Sequence, residues 1–249
     1  MIAAPDIRQA MLLAAGLGTR MRPLTDANAK PLLPLGARSL LDHALDRLEQ
    51  AGVRRVVVNL HWQADRVAEH LRRRGGDLDI VPRCEAALLD TGGAVAAALA
   101  EGLLDDRPFF AVNGDAFWLD GPVPALQRLS GAFDPESLDG VLLVHRAFQV
   151  QSEIGRGDFA LDEWGRPRRP AEHEIVPYVF AGVQLLAPAC FAGAGPGEAF
   201  SMNRVWDRAV AAGRLRAVVH DGLWFHLSTP ADLAQAESSL RARATGDTR

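Results

Sequence analysis

The chain has 249 residues, 48% of them apolar, and a formal net charge of −4. That length suits one large α/β domain or two small ones, and the apolar share supports a substantial core rather than disorder. Acids and bases are interspersed, which argues against a nucleic-acid binder and the basic face it would present.

Residues 10–15 (Ala10-Met11-Leu12-Leu13-Ala14-Ala15) form a short apolar run that predicts a buried strand. Residues 39–51 predict a helix, with Leu40, Leu41, Ala44, Leu45 and Leu48 on one face and Gly52 at its stop. A strand is expected over 53–60, where Val56-Val57-Val58 suits a sheet covered on both sides. A helix over 63–74 closes on Arg72-Arg73-Arg74, cations that complement its dipole. A strand over 78–81, an alanine-rich helix over 93–104 and a strand over 109–113 follow. This βα alternation predicts a three-layer α/β/α sandwich on a mainly parallel, Rossmann-like sheet, with ligands off the carboxyl ends of its strands. Further on, strands are expected over 141–145, 158–161, 178–186, 215–219 and 224–227. Residues 163–176 read as a charged loop, 203–212 as a helix, and 230–241 as a closing helix capped by Thr229 with Pro230 at its first position. No linker divides the chain, so a single domain over 1–249 is expected, with a frayed tail at 244–249.

Cys84 and Cys190 stand far apart, without metal-ligand spacing, so neither a disulfide scaffold nor structural zinc is expected. No signal-peptide core and no apolar run near ~18 residues occurs, which makes a cytoplasmic protein away from membranes the expectation. His61-Trp62 reads as packing, and Arg156-Gly157-Asp158 as a turn opening a strand.

The chemistry concentrates in Leu13-Ala14-Ala15-Gly16-Leu17-Gly18-Thr19-Arg20-Met21-Arg22-Pro23-Leu24-Thr25 and Lys30-Pro31-Leu32-Leu33-Pro34. Gly16 and Gly18 let backbone approach a ligand and allow successive N–H groups to nest an anion. Arg20, Arg22 and Lys30 add cations, a combination that suits a triphosphate. The GxxxxGK[ST] loop is absent, and GxGxxG would need glycine where Met21 stands.

These two strings resemble the nucleotide-binding signature of the sugar nucleotidyltransferases, and similarity to that family extends over roughly residues 10–240. Glu85 with Asp90-Thr91-Gly92-Gly93 resembles its base-reading segment, Asn113-Gly114-Asp115 its metal-binding triplet, and Phe180-Ala181-Gly182-Val183 its sugar-side strand. The resemblance implies a nucleotide half over 1–120 and a sugar half over 121–243. It implies nucleotide contacts from Ala14, Ala15, Gly16, Gly18, Thr19, Arg20, Glu85 and Gly92. Arg20, Lys30 and Asp115 would be catalytic, with Arg20 on the β/γ phosphates and Lys30 beside the α-phosphate. Asn113, Asp158, Gly182 and Asn203 would face the sugar. Asp115 would hold Mg²⁺, with Mn²⁺ as the other candidate ion. A carboxylate at Glu85 can accept from the N3–H of uracil or the N1–H and N2–H of guanine, so it disfavours adenine and leaves U and G open.

The strings Gly155-Arg156-Gly157-Asp158-Phe159, Ala199-Phe200-Ser201 and Ala211-Ala212-Gly213 are similar to members of the family that act on N-acetylmuramic acid 1-phosphate. That implies UTP and this sugar phosphate as partners, with GTP and a mannose- or heptose-type phosphate as the runner-up. Two departures stand out. Where the family carries W-x-D-x-G-T with a second metal-binding aspartate, the chain reads Trp224-Phe225-His226-Leu227-Ser228-Thr229, which makes His226 a candidate ligand and leaves a non-catalytic nucleotide sensor open. The family's Glu-Lys-Pro sugar-binding triplet is missing between Arg166 and Glu174.

Overall fold

The structure, a computed structural model, describes residues 5–150, 155–195 and 197–244. In chain order the elements are β1 (Gln9–Leu13), β2 (Pro34–Leu35), β3 (Arg38–Ser39), α1 (Leu40–Gln50), β4 (Arg55–Leu60), α2 (Ala64–Arg73) and β5 (Asp79–Cys84). There follow α3 (Asp90–Ala100), β6 (Phe109–Asn113), β7 (Phe117–Leu119), α4 (Ala125–Ala132), β8 (Gly140–Arg146), β9 (Ala160–Leu161) and β10 (Pro167–Arg168). The last are β11 (Tyr178–Leu186), α5 (Met202–Ala211), β12 (Leu215–Val219), β13 (Leu223–Phe225) and α6 (Pro230–Ala244).

Seven strands form one sheet in the order β12-β8-β11-β6-β1-β4-β5. Every neighbouring pair is parallel except those of β11, which runs against both β6 and β8. The expected mainly parallel three-layer fold is therefore the observed one. Period-two alternation sends Ala10, Leu12, Val56, Val58, Phe110 and Val112 to one face, beneath α1, α2 and α4. Met11, Val57, Phe109 and Ala111 face the other layer, where α3 and α5 cover them through Ala94, Val95, Ala98, Val205 and Trp206. Ser39 starts α1 by accepting from the Asp42 amide, and Gly52, at φ +89°, ends the turn that follows it.

A third apolar cluster lies outside the two layers. Met21, Leu33, Leu35, Leu40, Phe117, Leu227, Leu233 and Ala236 pack together, so α6 supports the arginine loop from beneath. Sequence pattern missed β7 and α4, and placed α3 three residues late. Helix α3 starts on Asp90, whose φ of +58° no propensity scale anticipates. Most of the expected tail lies outside the described residues. Among those described, no helix is long and apolar enough to cross a membrane.

Candidate active site

A cleft of about 470 Å³ opens off the carboxyl ends of β1, β4, β5 and β6, where an open parallel sheet binds its ligands. Its wall begins where β1 ends, at Ala14, Ala15, Gly16 and Gly18. Gly18 has φ +62°, and a Cβ there would meet Lys30 Cβ at 3.0 Å and Thr25 Cγ2 at 3.1 Å. Glycine is thus required both by conformation and by the close approach of the Lys30 segment. The Gly18 carbonyl accepts from Thr25 Oγ1 at 2.8 Å and from the Met21 amide at 2.9 Å. With Met21 anchored in the core, Thr19 and Arg20 face outward into the cleft. Arg20 makes no ion pair among the described residues, so its guanidinium is open to a ligand anion.

The floor is made by Asn113-Gly114-Asp115. The Gly114 amide donates to the Leu13 carbonyl at 2.8 Å, and a Cβ at Gly114 would sit 2.9 Å from that oxygen. The carboxyl ends of β1 and β6 are therefore locked together, which brings Asp115 against Lys30. Lys30 Nζ lies 2.5 Å from Asp115 Oδ2, with the lysine 12% and the aspartate 36% exposed. Asp115 Oδ1 has no partner among the described residues.

Glu85 borders the cleft, and its side chain is 1% exposed. Oε1 accepts from Asn59 Nδ2 at 2.9 Å and faces Arg83 at 3.5 Å, while Oε2 accepts from the Leu89 amide at 3.2 Å. Asn59, itself 4% exposed, also accepts from the Ala14 amide at 2.8 Å. One buried amide thereby joins the glycine loop to the 85–89 loop. Sequence reasoning passed over it as part of a valine-rich strand, although a polar residue at the carboxyl end of a buried strand was the available signal.

Gly92 does not line the cleft. Its amide and that of Gly93 donate to the Phe200 carbonyl at 2.9 and 3.0 Å, and a Cβ at Gly92 would strike the Phe200 ring at 2.5 Å. These glycines let the lead-in to α5 lie on the first turn of α3, a packing task. Leu88, Asp90, Thr91 and Ser228 do line the cleft; Asp90 and Thr91 belong to the string that resembles the base-reading segment, whereas Leu88 and Ser228 were given no role by sequence.

Of the residues expected to face the sugar, Asn113 lines the cleft and Gly182 abuts it. Gly182, at φ +79°, sits where the β11–β8 register shifts, and a Cβ there would lie 3.3 Å from Asn113 Nδ2. Asp158 and Asn203 lie on the flank instead. Asp158 Oδ2 accepts from the Phe180 amide at 2.8 Å, and Asn203 Oδ1 accepts from Arg169 Nη2 at 2.7 Å. Arg169 also pairs with Asp207 and stacks over Phe159 and Trp206, which fixes part of the expected charged loop.

His226 does not line the cleft either. It borders a separate hollow of about 220 Å³ with Trp224, Phe225 and Asp232. Burial pushes its imidazole pKa below the usual histidine value, with Asp232 pulling upward and Arg20 and Lys30 pushing further down. Among the described residues no three His, Cys, Asp or Glu side chains converge as a metal cluster.

A nucleotidyl transferase family model matches residues 9–142. The chain is 39% identical over 242 residues to the N-acetylmuramate alpha-1-phosphate uridylyltransferase of Caulobacter vibrioides, covering 95% of this chain and 98% of that one. The chain belongs to the nucleotidyl transferase family. The corresponding uridylyltransferase of Neisseria meningitidis serogroup B is 32% identical, with 92% and 97% covered. Nucleotidyl transferases of known structure share the fold. A UDP-glucose pyrophosphorylase complexed with UDP-glucose superposes with a TM-score of 0.77 at 17% identity, covering 95% and 99%. The inositol-1-phosphate CTP transferase of T. maritima gives 0.75 at 20%, covering 96% and 98%.

Proposed function

We propose that this transferase moves a uridylyl group from UTP to N-acetylmuramic acid 1-phosphate and releases pyrophosphate. The observation that carries the reading is the open cation Arg20 and the Lys30–Asp115 pair in a cleft at the carboxyl ends of β1 and β6, in a chain similar over nearly its whole length to two uridylyltransferases. An oxygen of the sugar phosphate attacks the α-phosphorus of UTP and forms the new P–O bond. The bond from the α-phosphorus to the bridging oxygen breaks, and pyrophosphate leaves with the electron pair. The attacking phosphate is already ionised, so no general base is needed. Arg20 holds the β and γ phosphates and balances charge that builds on the leaving group. Lys30 positions the α-phosphate and the incoming phosphate, and the glycine loop supplies amide donors.

The family implies a divalent cation. Asp115, partly exposed and with one oxygen uncommitted, fits an ion that takes one carboxylate and completes its shell with substrate oxygens and water, as Mg²⁺ does. Such an ion would supply neutralisation of phosphate charge. The surroundings do not fit an ion that needs a cage of protein ligands.

The test is pyrophosphate release over a panel of nucleoside triphosphates and sugar 1-phosphates. UTP with N-acetylmuramic acid 1-phosphate should be turned over best. Turnover only with GTP and a mannose- or heptose-type phosphate, or with dTTP and glucose 1-phosphate, would overturn the assignment.

A further inference from the structure

Of the residues that line the cleft, all but Ser228 come from the first half of the chain. Ser228 reaches it from the carboxyl-terminal segment, between β13 and α6. The family pattern W-x-D-x-G-T has glycine at this position, so the hydroxyl is a feature of this chain.

Ser228 is 6% exposed, yet its Oγ makes no hydrogen bond among the described residues. A serine hydroxyl can donate one bond and accept two, and a buried one is nearly always engaged. Nor is this one sealed away. The described side-chain atoms cut off from both solvent and partners are Arg74 Nε, Arg128 Nη1, Arg216 Nε and His220 Nδ1. What is left open to Ser228 Oγ is the cleft.

Its direction is fixed from both sides. Asp232 Oδ2 accepts from the Ser228 and Thr229 amides at 3.0 and 2.7 Å, which holds the backbone. On the other side Leu227 is buried against the cluster of Met21, the residue that follows Arg20. The charges that act on the neighbouring His226 ring are, in descending order, Asp232, Arg20, Lys30 and Asp115, which puts the segment at the cationic end of the cleft. A neutral donor beside two cations suits an anionic oxygen.

Resting on the seat given above to the β and γ phosphates at Arg20, we propose that Ser228 donates its hydroxyl to one of their oxygens and holds the pyrophosphate leaving group. As the bond to the α-phosphorus breaks, negative charge gathers on those oxygens and the hydrogen bond strengthens.

Ser228→Ala and Ser228→Gly remove the hydroxyl and test this. Calorimetry with Mg²⁺ present measures affinity for UTP, UMP and inorganic pyrophosphate, and melts of the free proteins give Tm. Affinity for UTP and for pyrophosphate should fall about tenfold or more in both variants, the scale of one hydrogen bond to a charged acceptor, with UMP within about twofold of wild type. Tm of Ser228→Ala should equal or exceed that of wild type, because an unpartnered hydroxyl leaves the interior. A serine that merely braces the start of α6 would instead lose Tm, with UMP and UTP weakened alike, and that result overturns the proposal. So do UTP and pyrophosphate affinities within about twofold of wild type in both folded variants, less than one such bond is worth. A wild type that binds GTP and not UTP overturns the uridylyl assignment alone, because pyrophosphate reads the contact without a base.

Discussion

Asn59→Leu separates a structural tie from a mere neighbour of the nucleotide. Asn59 Oδ1 accepts from Ala14 and its Nδ2 donates to Glu85, both in the interior. Leucine is similar in size and removes both bonds. The Ala14 amide then loses its side-chain acceptor, which costs about 1–3 kcal/mol for a buried group. Glu85 keeps the Leu89 amide and Arg83, so its loss stays near the lower end, about 1.5 kcal/mol, for a bond to a charged group. The sum is about 2.5–4.5 kcal/mol. At roughly 2–4 °C per kcal/mol for a chain of this size, Tm should fall by about 5–18 °C. Asn59→Asp sharpens the test. It keeps an acceptor for Ala14 but sets a carboxylate about 3 Å from that of Glu85, where both cannot ionise, so the pair holds a proton and a folded pKa is raised above its unfolded value. A raised folded pKa contributes stability below the unfolded carboxylate range that is lost as pH rises through the folded value. The deficit of this variant should therefore grow from about pH 5 to about pH 8. Thermal melts by circular dichroism at both ends of that range, with UTP binding alongside, provide the measurement. An Asn59→Leu protein within about 0.5 kcal/mol of wild type, the range of neutral surface changes, would refute the tie. So would an aspartate variant whose deficit ignores pH.

Arg20→Ala should reduce kcat on the order of 10²–10³ and weaken triphosphate binding, whereas Asp115→Asn should cause a similar loss concentrated in divalent-ion use. Near-normal kcat/KM for folded Asp115→Asn removes that carboxylate from the chemistry. His226→Ala should retain most Mg²⁺-dependent turnover, because His226 borders a separate hollow. A change in Mn²⁺ against Mg²⁺ preference in that variant, reversed by His226→Asp, would show that it is a ligand after all. Buried His145 and His220, with ring centroids 6.2 Å apart, both have their pKa lowered, chiefly by desolvation. Depressed folded values mean that stability is fully present above the unfolded histidine range near ~6.5 and declines as pH falls below it. Melts from about pH 7.5 to 5 should show that decline, flattened in His145→Gln, and a pH-independent difference between the two proteins would count against it.

Much of the sheet was legible because its strands carry two-sided apolar runs and its helices one-sided stripes. Val56-Val57-Val58 and the leucines of α1 fall where pattern puts them. The loop from Gly16 to Lys30 was legible for another reason. Its glycines and cations are local, and Gly18, Thr25 and Lys30 meet through short-range contacts. The residues whose surroundings sequence did not show depend on distant partners. Gly92 answers to Phe200, Asn203 to Arg169, and Glu85 to Asn59, separations that no motif or period encodes. The reversal of β11 was hidden likewise, since an apolar strand reads the same in either direction.

The carboxyl-terminal segment shows how a departure from the family pattern can leave the cleft intact. Trp224 Nε1 donates to the Ala181 carbonyl at 3.0 Å, tying the segment beside Gly182. Asp232 accepts from the Ser228 and Thr229 amides at 3.0 and 2.7 Å, while Thr229 Oγ1 accepts from the Asp232 amide at 3.3 Å, a reciprocal cap that fixes the start of α6. Between these anchors Leu227 enters the cluster that holds Met21, and Ser228 rather than His226 lines the cleft. The segment thus acts on the site through Met21, whose burial turns Thr19 and Arg20 outward. A histidine at 226 is compatible with that task, because the contacts that orient Arg20 run through its neighbours.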